Sequence, residues 1–273
     1  MDERVQKVLD YIEAHKDEYV ALLQRFCRQP SLANTGEGIA EMSEMVRAEL
    51  EKLGANPQVF ETGGSPFVYG EIKGETDRTF GFYDHYDVQP VDPLNEWHTD
   101  PFAAEIIDGV IYARGVADNK DGLVTRLCAV DAWQKVHGTL PLNVKFLFEG
   151  EEEIGSPHLL PFAEAHPDLI QCDGYVWEGG NREPGGPAEL TMGVKGLLYV
   201  ELYSTVSEKD AHSMYAAITP SATWRLVQAL NTLKDRDGKI LIDGFYDGIK
   251  PVSQAEKDAL KTDVFNESAV KEI

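Results

Sequence analysis

The sequence predicts an α/β fold: a doubly wound, mostly parallel sheet with helices on both faces, followed by part of a smaller α+β domain. Three observations carry that expectation. Strand-like and helix-like runs alternate from residue 57 to 177 at the pitch of βαβ units. Near Gly193 the style changes to "GLLYVELYST", whose strict alternation suits an antiparallel strand with one wet face. The chain has 273 residues, 42% of them hydrophobic and 26% charged, enough for one full core or two smaller ones. These changes divide the chain into residues 1–193 and 194–273.

Taken in order, Val5, Val8, Leu9, Ile12, Val20, Leu23 and Phe26 recur at helical spacing until Pro30 and Ser31 stop the pattern. A second amphipathic helix is expected from Gly38 to Leu53, ended by Gly54. Strands are expected in "PQVFET", "FVYGEIKG" and "RTFGFYD", and a hairpin in "FAAEIIDGVIYARG" turning at Asp108-Gly109. Helix returns from Asp121 to Val136. "LNVKFLFEG" follows as a β-branched and aromatic strand, "GSPHLLPFAEAHPDL" as a short helix and "CDGYVWEGG" as a further strand. In the second part, Pro220 opens the helix "SATWRLVQALNTLKD".

Bulk properties narrow the partners. A net charge of -22 repels nucleic acid and anionic membranes, so neither is expected. No apolar run is long enough to span a bilayer, and "MDERVQKVLDYIEAHKDE" is too polar for a signal peptide. Cys27, Cys128 and Cys172 are scattered, without a CxxC pair, and read as reduced thiols of a cytoplasmic protein.

Acidic and histidine residues gather where strands should end. His85 and Asp87 follow "TFGFY", Glu151, Glu152 and Glu153 follow "VKFLFEG", and Glu178 follows "GYVW". Asp118 lies between the hairpin and the next helix. Each cluster alone reads more readily as a solvated face or a turn than as a site. Together on one rim they would repel one another unless a cation or proton compensates. One imidazole with several carboxylates suits Zn²⁺, Mn²⁺ or Co²⁺ better than Ca²⁺. Asp87, two residues after His85 on an extended chain, stands on the side needed to fix the ring's tautomer. Adjacent glutamates would let one bind metal and another move protons, as metal-assisted hydrolysis requires.

The ordered motifs "HYDVQP", "EWHTDPF", "DGVIYARGVADNKDG", "FLFEGEEEIGS", "VKG" and "AHS" resemble the M20 family of zinc metallopeptidases. The tail "LKDRDGKILIDGFYDGIKPVS" is similar to its dipeptidase branch, which includes carnosinase-like enzymes. The resemblance implies a hydrolase of dipeptides or C-terminal residues with two Zn²⁺ per complete site, Mn²⁺ or Co²⁺ being alternatives. It places His85 on the first metal with Asp87 orienting it, Asp118 bridging both metals, Glu153 on the second and Glu178 on the first. Glu152 becomes the general base, an assignment anchored at "IGS" that leaves Glu151 a bystander. The family commonly holds the bridging aspartate before a cis peptide, here Asp118-Asn119. His212 matches a lid-domain histidine that, in dimeric members, reaches the partner's site and steadies substrate and oxyanion. A homodimer through the lid is therefore expected. Related readings are an amidohydrolase acting on N-acyl amino acids and a non-catalytic peptide binder.

Asp84 and Asp121 stand where the family commonly has glycine; Asp84 adds charge near the metals and Asp121 is expected to cap the next helix. Family members also continue past Ile273, and their later part supplies the last histidine of the second metal. The expectation is a truncated chain with little or no peptidase activity alone, with open sheet edges that favour oligomerisation or poor solubility.

Overall fold

The computed structural model describes residues 2–179, 191, 193, 194 and 196–261. Two compact units meet between Val194 and Lys195. Lys195 of the "VKG" motif lies outside the described residues.

The first pattern folds as two helices, α1 (Glu3–Ala14) and α2 (Lys16–Arg28), with His15 between them at φ −117°. The break falls where apolar spacing lapses between Ile12 and Val20. α3 (Ile39–Lys52) starts after Gly38, where a glycine is required: φ is 73°, and a Cβ would sit 2.1 Å from the Pro30 carbonyl oxygen.

The central sheet has five strands: β1 (Gln58–Phe60), β2 (Phe67–Ile72), β3 (Thr79–His85), β6 (Asn143–Glu149) and β7 (Gly174–Val176). The hairpin strands β4 (Glu105–Ile107) and β5 (Val110–Tyr112) form a separate pair, turned at Asp108 and Gly109 with φ of 51° and 83°. Spatial order in the large sheet is β1-β2-β6-β3-β7. β1 and β2, and β2 and β6, pair antiparallel; β3 pairs parallel with both β6 and β7. The class is α/β as expected, and the sheet is mixed.

Both faces are covered. Phe26, Met42, Val46, Leu50, Leu123 and Leu127 of the helices α2, α3 and α4 (Asp121–His137) pack with Val68, Phe146 and Phe148. On the other face Phe67, Tyr69 and Leu147 meet Phe162 of α5 (Leu159–Ala165), and Leu169 and Ile170 of α6 (Pro167–Ile170) pack against them. Alternate residues of each strand thus enter different cores. β3 reaches β6 through α4, and β6 reaches β7 through α5 and α6, so β3 has neighbours supplied from opposite faces. This is the switch point at which open α/β sheets form a crevice.

The second unit is described by itself. It holds α7 (Ala222–Asn231), capped by Ser221 accepting from the Trp224 amide, and α8 (Gln254–Leu260), opened by a reciprocal Ser253–Glu256 capping box. The expected strand over "GLLYVELYST" is absent among the described residues, where 196–205 are exposed or half-buried and irregular. Alternation marks a strand only where another strand takes its backbone hydrogen bonds, and no partner is paired there. No described helix is long and apolar enough to cross a membrane.

Candidate metal centre

His85 is the last residue of β3, fully buried, and opposes Glu149 on β6. The next turn of chain fixes its ring. Nδ1 lies 3.1 Å from the Asp87 main-chain oxygen and 3.3 Å from Asp87 Oδ1. Asp87, itself fully buried, also accepts from the Glu152 amide (3.2 Å) and the Glu153 amide (3.0 Å). Asp87 therefore orients the imidazole, through its main-chain oxygen and nearby carboxylate, and its carboxylate holds the turn that carries the acidic run.

The other ring nitrogen faces carboxylates. His85 Nε2 is 3.0 Å from Asp118 Oδ1 and 3.0 Å from Glu178 Oε2. Asp118 comes from an irregular turn over Val116–Lys120, with φ −146° and ψ 93°, and the Asp118-Asn119 peptide is cis as the resemblance implied. Glu178 follows β7 directly. One atom from each of His85, Asp118 and Glu178 lies within 4.8 Å of the others. Ligand atoms about 2.1 Å from a tetrahedral zinc are about 3.4 Å apart, close to these separations, and one nitrogen with two oxygens suits that ion. Asp118 is the accessible member, its side chain 73% exposed, which leaves room for a second centre beside it.

Glu152 Oε2 stands 3.9 Å from His85 Nε2, next to the trio without joining it. Burial first, and then repulsion from Glu178, raises its carboxyl to about 7. Glu153 is pushed up by burial and by Asp118, against a hydrogen bond from Gln89 Nε2 to its Oε2 at 2.9 Å. Burial would lower the His85 pKa, yet Asp87 and Glu178 drive it to about 11. The cluster therefore demands a positive charge among its acids, from a proton or a metal.

The structure thus brings His85, Asp87, Asp118, Glu152 and Glu178 together around one imidazole. Glu153 is turned toward Gln89 and within the field of Asp118. Glu151 is buried, and its carboxylate meets His158 Nδ1 at 2.7 Å and the Ser65 amide at 3.1 Å, away from the imidazole. His212 lies in the second unit, where its Nδ1 accepts from the Met214 amide at 3.1 Å. Asp121 is the first residue of α4 and accepts from the Gly122 amide; the capping position is Lys120, without a side-chain cap, which corrects the expected role of Asp121.

Several participants were not anticipated. Asn119 Nδ2 donates to Asp84 Oδ1 (3.0 Å) and to Glu178 Oε2 (3.2 Å). Arg126 Nε sits 3.1 Å from Asp84 Oδ2. Lys120 is fully buried and donates to the Phe26 and Gln29 carbonyls at 3.1 and 2.7 Å, tying the Asp118 turn to the end of α2. Glu149 accepts from Tyr83 and from Ser156, the latter at 2.9 Å. An arginine three residues after Leu123, on the apolar side of α4, was the one visible signal for this layer.

Comparison with known proteins places these residues in context. A family model described as "Peptidase family M20/M25/M40" matches residues 81–264. The Beta-Ala-His dipeptidase of Homo sapiens is 30% identical over 282 residues, 94% of this chain and 55% of that protein. The crystal structure of an M20 family metallo-carboxypeptidase from Sulfolobus solfataricus is 37% identical with a TM-score of 0.86, covering 100% of this chain and 59% of that one. Human carnosine dipeptidase 1 is 26% identical with a TM-score of 0.72, over 99% and 61% of the two chains. The chain therefore spans little more than half the length of these relatives.

Proposed function

Because this chain belongs to peptidase family M20/M25/M40, we propose that it carries the metal site and general base of a hydrolase cleaving dipeptides or C-terminal residues. The observation that carries the reading is the convergence of His85 Nε2, Asp118 Oδ1 and Glu178 Oε2, with the Glu152 carboxyl 3.9 Å from the same imidazole. A dipeptidase and a metallo-carboxypeptidase among the similar proteins support the substrate class.

In this reading His85, Asp118 and Glu178 would hold one Zn²⁺, and Asp118 and Glu153 would contribute to a second. Bound metal would supply Lewis acidity for an attacking water and the scissile carbonyl. Glu152 is placed to accept a proton and return it to the departing amine, for which a carboxyl raised toward neutrality is suited. Asp87 keeps His85 in the tautomer that presents Nε2. His212 steadies the developing oxyanion from the lid of a homodimer, with residues 1–193 as peptidase unit and 194–273 as lid. The net charge of -22 supports partners other than nucleic acid and anionic membranes, and three free cysteines support a cytoplasmic protein.

Replacing Glu152 by Gln tests the assignment in a complete, zinc-loaded form whose parent turns over dipeptides. Turnover is expected to fall about 10²- to 10⁴-fold while metal content is kept. Undiminished turnover, or no metal uptake at neutral pH by the parent protein, refutes it.

A further inference from the structure

Asp84 is a charged residue in a place built for an apolar one. It is the penultimate residue of β3, fully buried, and by strand alternation shares the α4-facing side with Phe82, which packs against the helical core. The residue it meets, Arg126, lies in the second turn of α4 with a side chain only 13% exposed. Asp84 Oδ2 and Arg126 Nε are 3.1 Å apart, but neither atom has an aligned hydrogen bond. Charge, more than directional bonding, keeps these two groups together. A buried pair of this kind adds little stability on balance, while loss of one member strands the other.

Both partners reach on to the segment after β7. Arg126 donates from a second nitrogen to the Trp177 carbonyl at 3.1 Å. Asn119, whose amide is fixed on Asp84 Oδ1, donates to Glu178 Oε2 at 3.2 Å. Trp177 also stacks on Tyr83 with centroids 3.7 Å apart. β7 is an edge strand of three residues, Gly174–Val176, all paired with β3, so the ladder ends before Trp177 and Glu178. Contacts from α4, the Asp118 turn and the Tyr83 ring hold those two residues. Gly122 leaves the space: a Cβ there would lie 2.0 Å from Asn119 Oδ1 and 2.8 Å from Asp84 Oδ1.

We propose that Asp84 and Arg126 form a positioning pair for Glu178, the buried carboxylate aligning the guanidinium and the Asn119 amide so that Glu178 Oε2 stays beside His85 Nε2. The inference rests on the reading of Glu178 as a metal ligand and adds residues that touch no metal. It gives Asp84 a function: the charge secures a ligand carried just beyond the short edge strand.

The test uses the 273-residue chain and competition for Zn²⁺ against a chromophoric chelator, with melting of the metal-free protein measured alongside. Arg126→Met is expected to weaken Zn²⁺ binding about 10- to 100-fold, the range for partners that orient ligands. Arg126→Lys should fail to restore it, because one ammonium cannot serve both Asp84 and the Trp177 carbonyl as the forked guanidinium does. Asp84→Asn, which keeps the volume and the acceptor for Asn119, should give a smaller loss. The Asp84→Asn, Arg126→Met double variant should lose less than the product of the single losses. Affinity within about twofold of the parent in all variants, with only the melting temperature lowered, overturns the proposal in favour of a purely structural pair. Should Arg126→Met fail to fold, Arg126→Lys and Asp84→Asn carry the comparison. If the parent chain takes up no Zn²⁺, the metal reading fails on its own, and a crystal structure of metal-free Arg126→Lys judges the pair. A widened His85–Glu178 separation upholds it, and an unchanged 3.0 Å overturns it.

Discussion

The two ends of the parallel strands treat charge in opposite ways. At the amino ends a polar cavity of about 460 Å³ is lined by Glu71, Lys73, Asp77, Thr79, Lys145 and Asp173, among others. There the protein supplies its own compensation: Lys73 pairs with Glu71, Asp173 Oδ2 accepts from the Thr79 amide at 2.7 Å, and Lys145 Nζ donates to the Asp168 and Gln171 carbonyls at 2.7 and 3.0 Å. At the carboxyl ends Asp118, Glu152 and Glu178 crowd one imidazole, and Arg126 is engaged by Asp84 and the Trp177 carbonyl. Two lysines thus stand among the cavity's acids. The acid cluster calls for an added cation, and that difference separates a surface depression from a functional site more sharply than size does.

Replacing ligands should break the contrast most. His85→Ala is expected to reduce zinc affinity beyond the 10- to 100-fold loss typical of orienting partners. Lys145→Ala, at the opposite end, should leave that affinity unchanged in the same chelator competition. Asp87→Ala comes next: about 10- to 100-fold weaker zinc binding, together with about 1–3 kcal/mol of stability as the Glu152 and Glu153 amides lose their acceptor. Titration calorimetry and denaturant melts read the two effects separately.

A smaller effect concerns pH. In metal-free protein burial, and then repulsion from Glu178, holds the Glu152 carboxyl at about 7, against an ordinary value of 4.5. Groups that keep protons to higher pH in the folded chain favour folding below their unfolded pKa, and that contribution is lost as pH rises through the folded value. Chelator-treated protein should therefore melt lower at pH 8 than at pH 5, and Glu152→Gln should flatten the slope. A melting temperature that rises over this interval would contradict the charge assignment. The smallest effect is chemical. Cys172, half-buried beside the amino-end cavity, should react first with a disulfide reagent. Cys27 and Cys128, buried and pushed up to about 11 and about 12, should stay protected until unfolding.

Much of the fold was legible because it rests on local periodicity. Every strand of the large sheet and α3, α4 and α7 fall where the apolar spacing puts them, with Gly54, Gly109 and Pro220 as punctuation. What escaped depends on pairing between distant segments. The run at 196–205 alternates as cleanly as any strand, yet it forms none, because alternation carries no information about a partner. The antiparallel pairing of β2 with β6 was hidden for the same reason. In the site, His85, Asp118 and Glu178 could be named from strand ends and motifs. Asn119, Arg126 and Lys120 could not, since their significance lies in contacts with Glu178, Asp84 and the end of α2.

The double engagement of Asp87 also bears on how manufacturing error, so to speak, enters the site. Were the ring and the glutamate turn anchored to separate walls, small displacements of β3 and β6 would add in the gap between them. With both referenced to one residue, through the Asp87 main-chain oxygen at Nδ1 on one side and its carboxylate at the Glu152 and Glu153 amides on the other, the gap is gauged from a common datum. Small shifts of β3 against β6 then leave the spacing of the His85 ring from the Glu152 backbone set by Asp87.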